Sequence, residues 1–70
     1  MSRAQAPANI RALRSIVATG QYGEAGGMTV DRTTAAAILA VYDALSKANR
    51  VRYASFGIAR MADMAWKLTR

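Results

Sequence analysis

The sequence has no cysteine and no histidine, and only four carboxylates among its seventy residues. Without cysteine there is no disulfide framework, thiolate zinc site, iron–sulfur cluster or cysteine nucleophile. Without histidine there is no imidazole general base, no Ser-His-Asp triad and no histidine-rich metal site. The carboxylates that remain, Glu24, Asp31, Asp43 and Asp63, have no spacing that suggests a shared acid/base or metal site. Lys47 and Lys67 fall on polar faces, so neither is placed to activate a serine or threonine. These gaps predict a non-enzyme with no cofactor, no metal and no small-molecule substrate. No apolar run approaches the roughly 18–20 residues that span a bilayer, so integral membrane association is not expected. The N-terminus scatters arginines and lacks the continuous apolar core of a signal peptide, so the expected location is cytoplasmic.

What is present is a net charge of +6 from ten Lys or Arg, in a chain that is 53% hydrophobic. That is too apolar for a disordered polycation. The length allows one small domain, whose core rarely supplies more than roughly 3–5 kcal/mol. Close helix packing or a partner chain must therefore contribute, and a homo-oligomer is expected. The charge is unevenly placed: residues 1–14 carry +3, residues 15–43 carry −2 and residues 44–70 carry +5. Two basic ends around a slightly acidic middle favour an anionic partner: nucleic acid, an acidic protein surface or anionic lipid.

Periodicity places four helices. Pro7 suits a first helical turn, and Ile10, Leu13, Ile16 and Val17 form an apolar stripe that ends at Gly20, predicting helix 1 over Ala8 to Thr19. Four glycines within GQYGEAGG, residues 20–27, exclude a helix and predict a flexible connector or a short irregular hairpin. Neither GxxxxGK[ST] nor GxGxxG is present there, so the stretch reads as a linker rather than a phosphate loop. A second helix follows Met28-Thr29-Val30-Asp31, with Thr29 or Asp31 as cap and Ala35, Ile38, Leu39, Tyr42 and Leu45 along one face. Its opposite face carries Ala36, Ala37, Ala40 and Ala44 where lysine or glutamate is usual. Ser46 is placed to cap a short third helix over Lys47 to Ser55, with Ala48, Val51 and Ala54 or Ser55 inward. Gly57 separates it from a fourth helix over Ile58 to Thr69, with Ile58, Met61, Ala62, Met64, Ala65 and Leu68 on one broad face and Trp66 at its edge. The expected fold is an all-α domain of three to four helices. In it residues 1–27 form a basic arm, a helix and a Gly-rich linker, and residues 28–70 form the helical body.

Two sets of residues are candidates for a binding surface. The first is Lys47, Asn49, Arg50, Arg52 and Tyr53, which put three cations, an amide and an aromatic at the start of one short helix. Helix N-termini favour phosphate oxygens, arginine and asparagine can bond base edges, and tyrosine can stack on a base. With the helix before it, this segment resembles the layout of a helix-turn-helix, in which the second helix reads the groove. Asp43-Ala-Leu-Ser46 departs from that pattern in lacking a turn glycine. Arg11 and Arg14, with Arg3, supply a second basic arm. The other set is the small-residue face Ala36, Ala37, Ala40 and Ala44 with Trp66, which would let another helix approach closely.

The pattern VDRTTAAAILAVYDAL, then SKANRVRYASF and MADMAWKL, resembles small helical proteins of actinobacterial phages and prophages over about residues 28–69. The resemblance implies a viral accessory or host-directed role and assigns no site residues. The expected function is a small regulatory binding protein that engages nucleic acid through its short basic helix. The alternative is an interaction module that binds or inhibits an acidic host protein.

Overall fold

A computed structural model of the chain describes residues 7–20 and 22–69. Six elements follow in the order α1 (Ala8–Thr19), β1 (Gly23–Ala25), β2 (Met28–Val30), α2 (Arg32–Ala44), α3 (Lys47–Ala54) and α4 (Ile58–Thr69). The fold is small and mainly helical, as the periodicity implied, with a two-stranded antiparallel sheet added. Arg3 lies outside the described residues.

Local chemistry explains each boundary. Pro7 stands at the N-cap of α1 and accepts the first helical bond from Arg11 N–H. Gly20 closes the helix in the left-handed conformation, φ 74°, and donates to Ile16 and Val17 carbonyls. The glycine segment is the hairpin of the two expected alternatives. Gly23 pairs with Val30, Glu24 with Thr29 and Ala25 with Met28, leaving a two-residue turn. Gly26 and Gly27, at φ 59° and 79°, supply the two positive φ values of a type I′ turn. Of the two expected caps Asp31 is the one used, so α2 starts at Arg32, and the three residues before Asp31 are drawn into β2. Asp31 is the cap: its Oδ1 accepts from Thr34 N–H at 2.8 Å, which holds the carboxyl below the usual carboxylate range.

The core is shared by α1, α2 and α4. Ile10 and Leu13 of α1, Ile38 of α2 and Met61 of α4 are fully buried, joined by Ala35, Ala65 and Val41. Ala25 and Val30 bring the hairpin into the same cluster, so the turn at residues 26–27 sits between two paired strands, with α1 packed on α2. Val41 was not foreseen on the buried face of α2. Leu68, expected inward, is 67% exposed near the end of α4. No described helix is long and apolar enough to cross a membrane.

Candidate nucleic-acid interface on α3

α3 is the least embedded helix of the fold. Only Tyr53 and Ala54 of its eight residues are buried, and Arg50 is half-buried. Ala54 is inward, one of the two expected alternatives, but the rest of the orientation is corrected: Ala48 faces solvent and Val51 is 68% exposed, while Tyr53 points inward. The reason is that Tyr53 offers the larger apolar surface and finds a partner for its hydroxyl. That hydroxyl donates to the Met61 carbonyl of α4 at 2.9 Å, and its ring meets Phe56 edge-on with centroids 6.4 Å apart. Burial pushes the phenol up to about 12. At 3% exposure Tyr53 cannot stack on a base, so the role expected of it there is withdrawn.

Arg50 is likewise turned toward its own chain. Its Nε donates to the Tyr42 carbonyl at 3.0 Å and its Nη2 to the Asp43 carbonyl at 2.8 Å. These carbonyls lie in the last turn of α2: Tyr42 already accepts from Leu45 N–H at 3.2 Å, and Arg50 adds a second donor there and one to Asp43 from the next helix. The guanidinium also lies 5.5 Å from the centre of the Tyr42 ring. An arginine forked onto two backbone oxygens does not offer the same fork to a guanine, which corrects the reading of Arg50 as a base contact.

Arg14 is engaged from the other side of the same seam. Its Nη2 donates to Asp43 Oδ1 at 2.7 Å and its Nη1 to Oδ2 at 3.3 Å. The hydrogen bonds from Arg14 hold the Asp43 carboxyl below its ordinary range and raise the guanidinium above its own. Its charge is compensated, which removes it from the basic arm. Arg11 remains exposed on α1.

What α3 presents outward is therefore Lys47, Ala48, Asn49, Val51 and Arg52, all exposed, on a helix whose sequence contains no carboxylate. Ser46 caps its N-terminus by accepting from Asn49 N–H at 3.4 Å. Sequence spacing found Lys47, Asn49 and Arg52 as surface cations and amide. It grouped Arg50 and Tyr53 with them because spacing alone does not reveal which side of so short a helix is covered.

The second candidate surface divides. Ala36, Ala40 and Ala44 are exposed at every fourth position of α2, while Ala37 is partly buried against the core. Trp66 is 40% exposed on α4. A feature not foreseen is an open cleft of about 420 Å³ between β2, the first turn of α2 and α4, with Met28, Ile58, Ala59 and Ala62 among its apolar walls. Among the described residues no group of three or more acidic, histidine or cysteine side chains is gathered to hold a metal ion. Asp43 and Asp63 are paired with Arg14 and Lys67, the latter at 3.1 Å, and Asp31 is a cap. Comparison with protein-family models, curated proteins and solved structures returns no match for the chain.

Proposed function

We propose that the protein is a small, non-catalytic nucleic-acid-binding protein whose contact surface is the outer face of α3. The observation that carries this reading is the separation of roles on that helix. Arg50 and Tyr53 fasten it to α2 and α4, and Lys47, Asn49 and Arg52 are left outward without a neighbouring carboxylate on the helix. A helix whose backbone is fixed before the ligand arrives loses less backbone freedom on binding. Arg50 and Tyr53 then act as positioning residues, and Arg11 adds charge from α1.

The test is the salt dependence of binding to mixed-sequence nucleic acid. Each phosphate contact contributes about −0.9 to the slope of log affinity against log salt on duplex DNA. The variant Lys47→Ala with Arg52→Ala should flatten that slope by roughly two such units. An unchanged slope, or no binding at low ionic strength, would overturn the reading.

A second reading, a protein-interaction surface that also mediates self-association, is favoured by the exposure of Ala36, Ala40 and Ala44 along one line of α2. Small side chains let a second helix approach closely. Ala40→Glu should abolish association in sedimentation while the far-UV spectrum stays helical, and retained association would remove this surface.

A further inference from the structure

We propose that the partner of α3 is duplex DNA, with the helix in the major groove and Val51 set against thymine methyl groups; this rests on the nucleic-acid reading above. The argument begins with the order of side chains around α3. At about 100° per residue, Val51, Ser55 and Ala48 fall within roughly 60° of one another on the outward side. Lys47 lies about 40° beyond Val51 on one flank, and Arg52 about 40° beyond Ala48 on the other. All five are exposed. The outer face is thus a strip of small and apolar groups with one cation on either side.

That cross-section matches a major groove, where base edges form the floor and phosphates form both rims. The only apolar group on the floor is the thymine methyl, and small aliphatic side chains are its complement. Val51, 68% exposed and the largest apolar side chain of that strip, is placed to meet it. The dimensions agree: a helix with its side chains is about 10–12 Å across, and the groove is about 12 Å wide. The deep, narrow major groove of A-form RNA would not admit the helix. A binder of phosphate alone has no use for an exposed valine between its cations.

The experiment uses the full chain and three probes: a random-sequence DNA duplex pool, the same pool with deoxyuridine in place of thymidine, and the corresponding RNA duplexes. Deoxyuridine removes the methyl and leaves pairing and charge intact. Wild type should bind the deoxyuridine pool more weakly, by roughly fourfold for each methyl contacted, and the RNA more weakly still. Val51→Ser should erase the difference between the two DNA pools while keeping the wild-type salt slope. Because Val51 is exposed, this variant should fold, which far-UV circular dichroism checks. Equal affinity for the two DNA pools, or a preference for RNA, would overturn the major-groove inference while leaving a salt-dependent nucleic-acid binder. Absence of binding to all three probes at low salt would overturn both. Capture of an acidic protein with no nucleic-acid binding would do the same.

Discussion

Arg50 reaches back eight residues to donate to the Tyr42 carbonyl at 3.0 Å, with its guanidinium 5.5 Å from that residue's ring centre. One side chain thereby closes the end of α2 and fixes the angle at which α3 leaves it. Hydrogen bonds from a charged group contribute about 1.5–3 kcal/mol when well buried and less when partly solvated, as here. Arg50→Ala should therefore lower unfolding stability by about 1–2 kcal/mol in a urea titration. Arg50→Lys should recover only part of it, because an ammonium has no planar fork to span the Tyr42 and Asp43 carbonyls. An unchanged midpoint for Arg50→Ala would count against the clamp.

Leu13 tests whether α1 belongs to the core. It is fully buried with Ile10 and Ile38, and Leu→Ala at such sites costs about 2–5 kcal/mol. A domain of this size has about that much to lose, so Leu13→Ala should be largely unfolded at room temperature. Arg11→Ala, two positions away on the exposed side of the same helix, should stay within about 0.5 kcal/mol of wild type. Near-normal thermal unfolding of Leu13→Ala would show that α1 is dispensable.

The two turn glycines should respond differently. Both have positive φ, which costs a residue bearing a Cβ about 1–2 kcal/mol. A Cβ on Gly27 meets nothing within 4 Å, whereas one on Gly26 would come within 2.8 Å of Ile58 Cγ1 in the core. Gly26→Ala should accordingly lower the melting temperature more than Gly27→Ala, and Gly27→Asn should be the mildest of the three. Equal effects at the two positions would mean that Ile58 yields without cost.

Tyr53 makes a prediction at high pH. Its folded value is raised from 10.0 to about 12 by burial, so the unfolded chain gives up the phenolic proton first. The unfolded state then binds fewer protons, and stability falls as pH rises from about 10 to about 12. Below pH 10 the contribution is fully present. The loss is on the order of 2–3 kcal/mol across that window, from about 1.36 kcal/mol per unit. Tyr53→Phe should lack this step while being less stable at neutral pH, because the hydrogen bond from the phenol to the Met61 carbonyl is lost. A wild-type curve parallel to that of Tyr53→Phe between pH 10 and 12 would remove the assignment.

Much of the fold was legible because four helices announce themselves by stripes and stops. Ile10–Leu13–Ile16 with Gly20, and Ala35–Ile38–Leu39 after Asp31, combine period and cap in one short stretch. The hairpin was harder, since strands of three residues are too short to alternate convincingly and their glycines read equally well as a linker. The candidate surface was half legible. Lys47, Asn49 and Arg52 were expected outward and are exposed, whereas Arg50 and Tyr53 turn toward their own chain. On an eight-residue helix one residue of rotation exchanges inside for outside, and the partners that set the rotation, the Tyr42 and Met61 carbonyls, are backbone atoms that leave no mark in residue identity.

The Arg50 clamp also bears on the order in which the chain organises itself. It closes loops of only seven and eight residues, whereas Arg14 and Asp43, twenty-nine residues apart, must await the docking of α1 on α2. Short closures are entropically cheap and favour early formation. The α2–α3 corner is thus the natural nucleus, and the seam with α1 is laid down on it. In stopped-flow kinetics Arg50→Ala should mainly slow refolding, and Arg14→Ala, at the later seam, should mainly hasten unfolding. The arginine that looked like a ligand contact would then be the residue that sets how fast the protein reaches its native form.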